Sequence, residues 1–160
     1  MATDMFLKLD GIKGESKDKQ HKDEIQIESF SWGMAQHTEG HTGGGHGAGK
    51  VRIHDISISK STDKASADLI QQVCTGKHIK EGLITFRKAG DKPLEYLKIK
   101  LTDVFISNYQ VGSSAGSDVP SESITLNFTK FQAEYFEQKP DGSGTSAGNA
   151  SWDVKTHSKV

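Results

Sequence analysis

The sequence lacks several features that would narrow its biology quickly. Its single cysteine, Cys74, excludes an internal disulfide, so the fold is compatible with a reducing cytosol. No apolar run of about 18 residues exists, which excludes a helical membrane span. The start, MATDMFLKLDGIKGESKDK, carries an acid at Asp4 and no sustained apolar core, so no secretory signal is expected. Export would therefore need a dedicated machine. Charge of one sign is also missing: 20 basic and 21 acidic residues give a net charge of −1. That balance exerts no overall pull towards nucleic acid or an anionic membrane, leaving proteins as the expected partners. The 160 residues suffice for one core without a metal or disulfide staple, and a single domain over 1–160 is expected.

What the chain has in abundance is alternation of period two. Met5, Leu7 and Leu9 alternate with Phe6 and Lys8, predicting a first strand closed by Asp10-Gly11, and the polar run GESKDKQHKDE predicts a loop. Four later segments share a slip of phase. Ile25 and Ile27 pass to Phe30, Trp32 and Met34; Val51 and Ile53 pass to Ile56 and Ile58. Leu97, Ile99 and Leu101 pass to Val104 and Ile106; Ile124, Leu126 and Phe128 pass to Phe131, Ala133 and Tyr135. A slip of one residue implies a bulge or sharp bend, and repeated bends predict strands curling around one core. The expected fold is mainly β: a bent-strand barrel or tightly bent sandwich of two curved sheets, with one short helix and a long glycine-rich loop.

The helix is expected over SADLIQQVCTGK, with Ser66 as cap, Asp68 in the first turn, Leu69, Ile70, Val73 and Cys74 on one face, and Gly76 as stop. Further strands are expected from Ile79 to Lys88 and from Trp152 to Thr156. GSSAGSDVPSES and KPDGSGTSAGNAS read as loops.

Three motifs invite chemistry. Gly44 to Val51, GGHGAGKV, matches a phosphate loop except that valine replaces the final hydroxyl residue, and Lys50 opens the strand pattern VRIHDISIS instead of a helix. A glycine loop is the better reading. His37, His41 and His46 offer three imidazoles without a nearby cysteine or enforced spacing, so no metal is expected, and His21, His54, His78 and His157 read as ordinary surface or strand residues. Gly112 to Gly116, GSSAG, matches a nucleophile elbow around Ser114, with Asp153 and His157 following in suitable order. An elbow needs a strand turning into a helix, whereas here PSESITLNF leads out as a strand. Lys98 and Lys100 alternate with aliphatic residues as the polar face of a strand. Phe30, Trp32, Phe128 and Phe131 read as core.

Taken in order, DMFLKLDGIKGESKDK, SFSWGMAQ, GGGHGAGKV, TGKH, TFRKAG, LEYLKIKL and ESITLNFTKFQAEYFEQK resemble the haemolysin-coregulated protein family, the tube protein of type VI secretion systems. The resemblance covers almost the whole chain. It implies a compact β-barrel with one helix, six of which form a ring, with rings stacking into a tube. It further implies a contractile sheath that drives the tube, a trimeric spike protein at its tip, and small effectors carried or shielded in the channel. Assembly in the bacterial cytoplasm, then secretion without a cleaved signal peptide, follows from the same resemblance. So do a ring-stacking arm at Gly43, Gly44, Gly45, His46 and Gly47, and cargo contact at Ser113 and Ser114. No cofactor, catalytic residue, nucleic acid or membrane insertion is implied, and no toxin extension is expected after Val160. The competing expectations are a small serine hydrolase using Ser114 and a stand-alone β-barrel binding module.

Overall fold

The computed structural model describes residues 3–39 and 47–160. In chain order these form β1 (Thr3–Leu9), β2 (Ile25–Ile27), β3 (Ser29–Ser31), β4 (Met34–Glu39), β5 (Gly47–Ile53) and β6 (Ile56–Ser61). α1 (Ser66–Thr75) follows, then β7 (Ile79–Lys88), β8 (Leu94–Gly112), β9 (Ser121–Asn127), β10 (Lys130–Gln138) and β11 (Gly144–Asp153).

Every slip of phase in the sequence is a break or bend in the backbone. The first falls at Glu28, between β2, which pairs with β1, and β3, which pairs with β6. The second falls at His54-Asp55, between β5 and β6, and the fourth at Phe128-Thr129, between β9 and β10. The third lies inside β8, where Asp103 adopts φ 56°. Aspartate is among the few residues that tolerate this left-handed conformation. On one side of it β8 pairs with β10 up to Thr102, and on the other it pairs with β9 from Phe105.

Two curved sheets therefore share β8. The first runs β2-β1-β7-β8 with β10 and β11 beyond, and the second runs β8-β9-β6-β3. The hydrogen-bonded path is open, ending at β2 and at β3. Those two ends are consecutive along the chain, and the Glu28 N–H between them donates to Ser59 O at 2.8 Å. The sheets thus wrap one core, closed by the chain and not by a continuous ladder. Leu7, Ile84, Ile99 and Leu101 from the first sheet meet Ile56, Ile58, Ile106, Ile124 and Leu126 from the second, all buried. Each such side chain contributes roughly 1.5–3 kcal/mol relative to exposure. Trp32, Phe128 and Phe131 close one end edge to face, and Phe30 packs edge to face on Phe86.

The helix and the C-terminal region differ from expectation. α1 starts one residue after Ala65, and Ser66 is buried within it, its hydroxyl accepting the Asp63 N–H at 3.0 Å instead of capping. Leu69 is fully buried, but Ile70 and Cys74 face outward, so the packed face is narrower than the apolar spacing suggests. Gly76 ends the helix at φ 66°, donating its N–H to Gln72 O. The strand expected over Trp152–Thr156 instead ends at Asp153 and begins at Gly144, within the stretch that reads as a loop. Glycine, serine and asparagine hide it from a pattern search because neither face of β11 is apolar before Trp152. Likewise β9 takes Ser121, Glu122 and Ser123 from the serine-rich stretch, leaving 113–120 as the loop.

Residues 14–24 form the expected loop, and it packs tightly. Gly14 N–H donates to Asp23 O at 2.8 Å, and a Cβ at Gly14 would lie 2.5 Å from Glu24 O. The loop covers Phe6, which therefore is buried despite pointing away from the core of Leu7 and Leu9. His21, expected at the surface, stacks on Phe6 with ring centroids 4.3 Å apart. Its ring nitrogens sit 2.8 Å from Glu24 and 2.6 Å from Glu95.

Candidate functional site

The register of the second sheet puts like beside like. Ser29 pairs with Ser59, Ser59 with Ser123, and Ser123 with Gln110. The next row reads Ser31, Ser57, Thr125 and Asn108, and a third reads Ser61, Ser121 and Gly112. Directly opposed residues share a face, so the outward side of this sheet carries short hydroxyls and amides and no charge in these rows. The cause lies in the sequence: ISISKS, SESITLN and SFS place serine or threonine at alternate positions opposite the isoleucines of the core. At one margin Asp55 accepts hydrogen bonds from Ser107 at 2.9 Å and Asn127 at 2.8 Å; at the other the Ser61 hydroxyl donates to Glu28.

Ser113 and Ser114 stand at the end of this face, in the loop that joins β8 to β9. Both are exposed, as are Val111 and Val119 flanking them. The Ser114 hydroxyl lies 3.0 Å from that of Ser117, and Ser117 N–H donates to Ser114 O at 3.0 Å. This is a turn between strands, without the helix that an elbow requires. The proposed triad is not brought together. Asp153 accepts the backbone N–H groups of Lys155 and Thr156, which hold its carboxyl below the usual carboxylate range. Asp153 is registered through Lys130 to Thr102, ten residues of β8 away from Gly112. Strand rise of about 3.3 Å per residue separates them widely, even with the bend.

Beneath the hydroxyl rows lies the most buried charge among the described residues, which the sequence reading missed. Lys60 and Glu122 are directly opposed on β6 and β9, on the core side, and both side chains have no exposed surface. The Lys60 ammonium donates to Glu122 Oε1 at 2.6 Å, Ser66 Oγ at 3.3 Å and Asp63 Oδ1 at 2.8 Å, so its three protons are used. Glu122 Oε2 receives the Tyr109 hydroxyl and lies 3.3 Å from the Thr62 hydroxyl. Burial pushes the Glu122 carboxyl up, but the hydrogen bonds from Lys60, Tyr109 and Ser66 outweigh it and leave the carboxyl below its ordinary value. Burial and the Glu122 carboxylate push Tyr109 up to about 12. The signal was legible: Lys60 continues the phase of Ile56 and Ile58, and Glu122 that of Ile124 and Leu126.

Comparison with known proteins adds what the geometry alone does not. The family described as "Type VI secretion system effector, Hcp" matches residues 6–135. The chain belongs to that Hcp family. Over 143 residues it is 46% identical to Protein hcp1 of Pseudomonas aeruginosa, covering 89% of this chain and 88% of the relative. A solved type six secretion system protein is superposable with a TM-score of 0.92 at 31% identity, over 99% of this chain and 100% of that one. Hcp1 from Salmonella typhimurium gives 0.79 at 32% identity over the full length of both chains. A type VI secretion system effector from Yersinia pestis gives 0.76 at 38% identity, over 94% and 100%. The chain is thus a type VI secretion protein, and its mainly β fold with one short helix is that of the family.

Of the other candidate residues, Gly43, Gly44, Gly45 and His46 lie outside the described residues, as does His41, while Gly47 opens β5. β5 pairs with β4 in a two-stranded hairpin apart from the main sheet. Lys50 lies inside β5, so no helix start follows it to hold a phosphate. Among the described residues no group of three or more histidine, cysteine or acidic side chains is gathered for a metal.

Proposed function

We propose that this Hcp-family chain is a structural and transport protein: one domain over 1–160, six copies of which close into a ring whose rings stack into a tube. A contractile sheath propels the tube, a trimeric spike protein caps it, and small effectors travel in or are shielded by its channel. Assembly occurs in the bacterial cytoplasm and export needs no cleaved signal peptide. The protein acts as a conduit, not a catalyst.

The observation that carries this reading is the hydroxyl face. A lining that must release what it touches should have no large apolar patch and no long-range field, and rows of serine meet both requirements. Ser113 and Ser114 extend this surface towards cargo. The open edge of β11, which pairs with β10 alone among the described residues, supports strand addition by a neighbouring copy. Gly43, Gly44, Gly45, His46 and Gly47, joining β4 to β5, make the contact between rings.

Light scattering on a size-exclusion column tests the ring: a mass of six subunits is expected, and a monomer across micromolar concentrations would overturn it. Ser114→Gln should keep the ring and reduce effector export, whereas Ser114→Ala should act mildly. Labelling of Ser114 by a fluorophosphonate probe would contradict the conduit reading. Deletion of 43–47 should preserve single rings and impair tube growth seen by electron microscopy.

A further inference from the structure

The loop 113–120 is exposed throughout except at its last residue, Pro120, and its internal bonds join only Ser114 to Ser117. Gly112, paired with Ser121, holds one end of it, and Pro120 holds the other. The Thr62 N–H donates to Pro120 O at 3.0 Å, and the Thr62 hydroxyl lies 3.2 Å from the same oxygen. That hydroxyl is also 3.3 Å from Glu122 Oε2; its single proton serves the carboxylate while the Thr62 N–H holds Pro120 O, so the one residue links the loop to the buried ion pair. Tyr109 reaches the same carboxylate from β8, the strand that enters the loop. Asp63, next to Thr62, is tied to Lys60 at 2.8 Å, which holds the corner between β6 and α1 in place.

We propose that Thr62, Glu122 and Lys60 are positioning residues for the loop, fixing from beneath where Ser113 and Ser114 stand at the end of the hydroxyl face. This rests on the reading of that loop as the cargo contact, although the anchoring itself can be tested without cargo. A buried ion pair contributes little net stability compared with apolar residues of equal volume, so its value here lies in geometry. The carboxylate between two incoming hydroxyls from different elements admits one arrangement of the loop base. Replacing both members of the pair by uncharged residues of similar volume keeps the barrel but releases that constraint.

The test uses the full-length protein with Cys74→Ser, carrying nitroxides at Ser114→Cys and Lys100→Cys and diluted with unlabelled subunits. Pulsed dipolar spectroscopy reads the width of the distance distribution. Thr62→Val keeps the backbone bond to Pro120 but removes the bridging hydroxyl, and roughly a twofold wider distribution is expected. Thr62→Ser should restore the narrow one, and Glu122→Gln should widen it. Thr62 is exposed, so its variants remain informative even where Glu122→Gln fails to fold. Unchanged width in Thr62→Val overturns the proposal. So does equal broadening, in the same variant, of a control pair at Ser57 and Lys100, on opposite sheets, which would mark a general loosening of the barrel. A widened loop with unchanged effector export would uphold the anchoring and refute the cargo reading instead.

Discussion

The two sheets handle charge in opposite ways. On the first, charge lies outside: the rows across β1, β7, β8 and β10 read Lys8, Leu83, Lys100 and Gln132, then Thr85, Lys98 and Glu134. On the second, the outside is hydroxyl and the charge, Lys60 with Glu122, lies inside. The strand β8 crosses from one regime to the other at Asp103, from KIK to SNYQ. The first sheet also has a strong ion cluster, but it sits under a loop at the surface. Arg87 donates to Asp18 at 2.6 and 2.9 Å and to Asp4 at 3.1 Å, over the Phe6 ring. Its carboxylate partners remain partly exposed, at 25% and 35%. A face that meets moving partners is better kept free of charge, while charge used to fix a shape belongs where water cannot loosen it.

The largest expected effect comes from breaking the inner pair on one side. Glu122→Leu should cost about 3–5 kcal/mol in chemical denaturation, because it strands Lys60. The double variant Lys60→Met with Glu122→Leu should recover most of that loss. A double variant whose loss equals the sum of the losses of Lys60→Met and Glu122→Leu alone would show that the pair is not coupled. Arg87→Met should cost less, about 1.5–3 kcal/mol, since its partners keep water.

Acid separates stability from neutral behaviour next. The Arg87 hydrogen bonds hold the Asp18 carboxyl well below its ordinary 3.8, and Lys60, Tyr109 and Ser66 hold Glu122 below 4.5. Lowered values stabilise the fold above the unfolded-state pKa, so both contributions are complete above pH 4.5 and drain away below it. Thermal melts from pH 6 down to pH 2 should show this fall. Glu122→Gln should flatten only its share.

The smallest effect on stability should come from exchanging the outer faces. Ser123→Lys and Lys100→Ser should each change unfolding free energy by no more than about 0.5 kcal/mol. Their effects on export should differ: Ser123→Lys reduces it and Lys100→Ser does not. Loss of export by Lys100→Ser would place the working surface on the wrong sheet.

The strands of the barrel were legible because core side chains recur at period two, and their bends because the phase slips. Glu28, Asp103 and the pairs His54-Asp55 and Phe128-Thr129 all sit where the apolar face changes parity. β11 was not legible, since Gly144 to Ala150 buries no face and leaves no parity to read. The hydroxyl face was half legible: alternation marks the serines of ISISKS and SESITLN as outward, but only register aligns Ser59 with Ser123 and Ser29. Phe6 and His21 show another limit, because a covering loop buries an outward residue without altering strand pattern.

The composition of β11 bears on how copies of this chain would find one another. GTSAGNA presents small residues at nearly every position, so a strand laid along it one or two residues out of place meets no steric penalty and forfeits little. The mispaired state is cheap to enter and cheap to leave. Trp152, at the end of the strand, is the first residue large enough to distinguish the correct alignment, and beyond it the edge is taken, since Asp153 is bridged to Ser158. Joining at this edge is therefore expected to proceed by loose capture followed by sliding, with errors corrected by annealing before the tryptophan end locks.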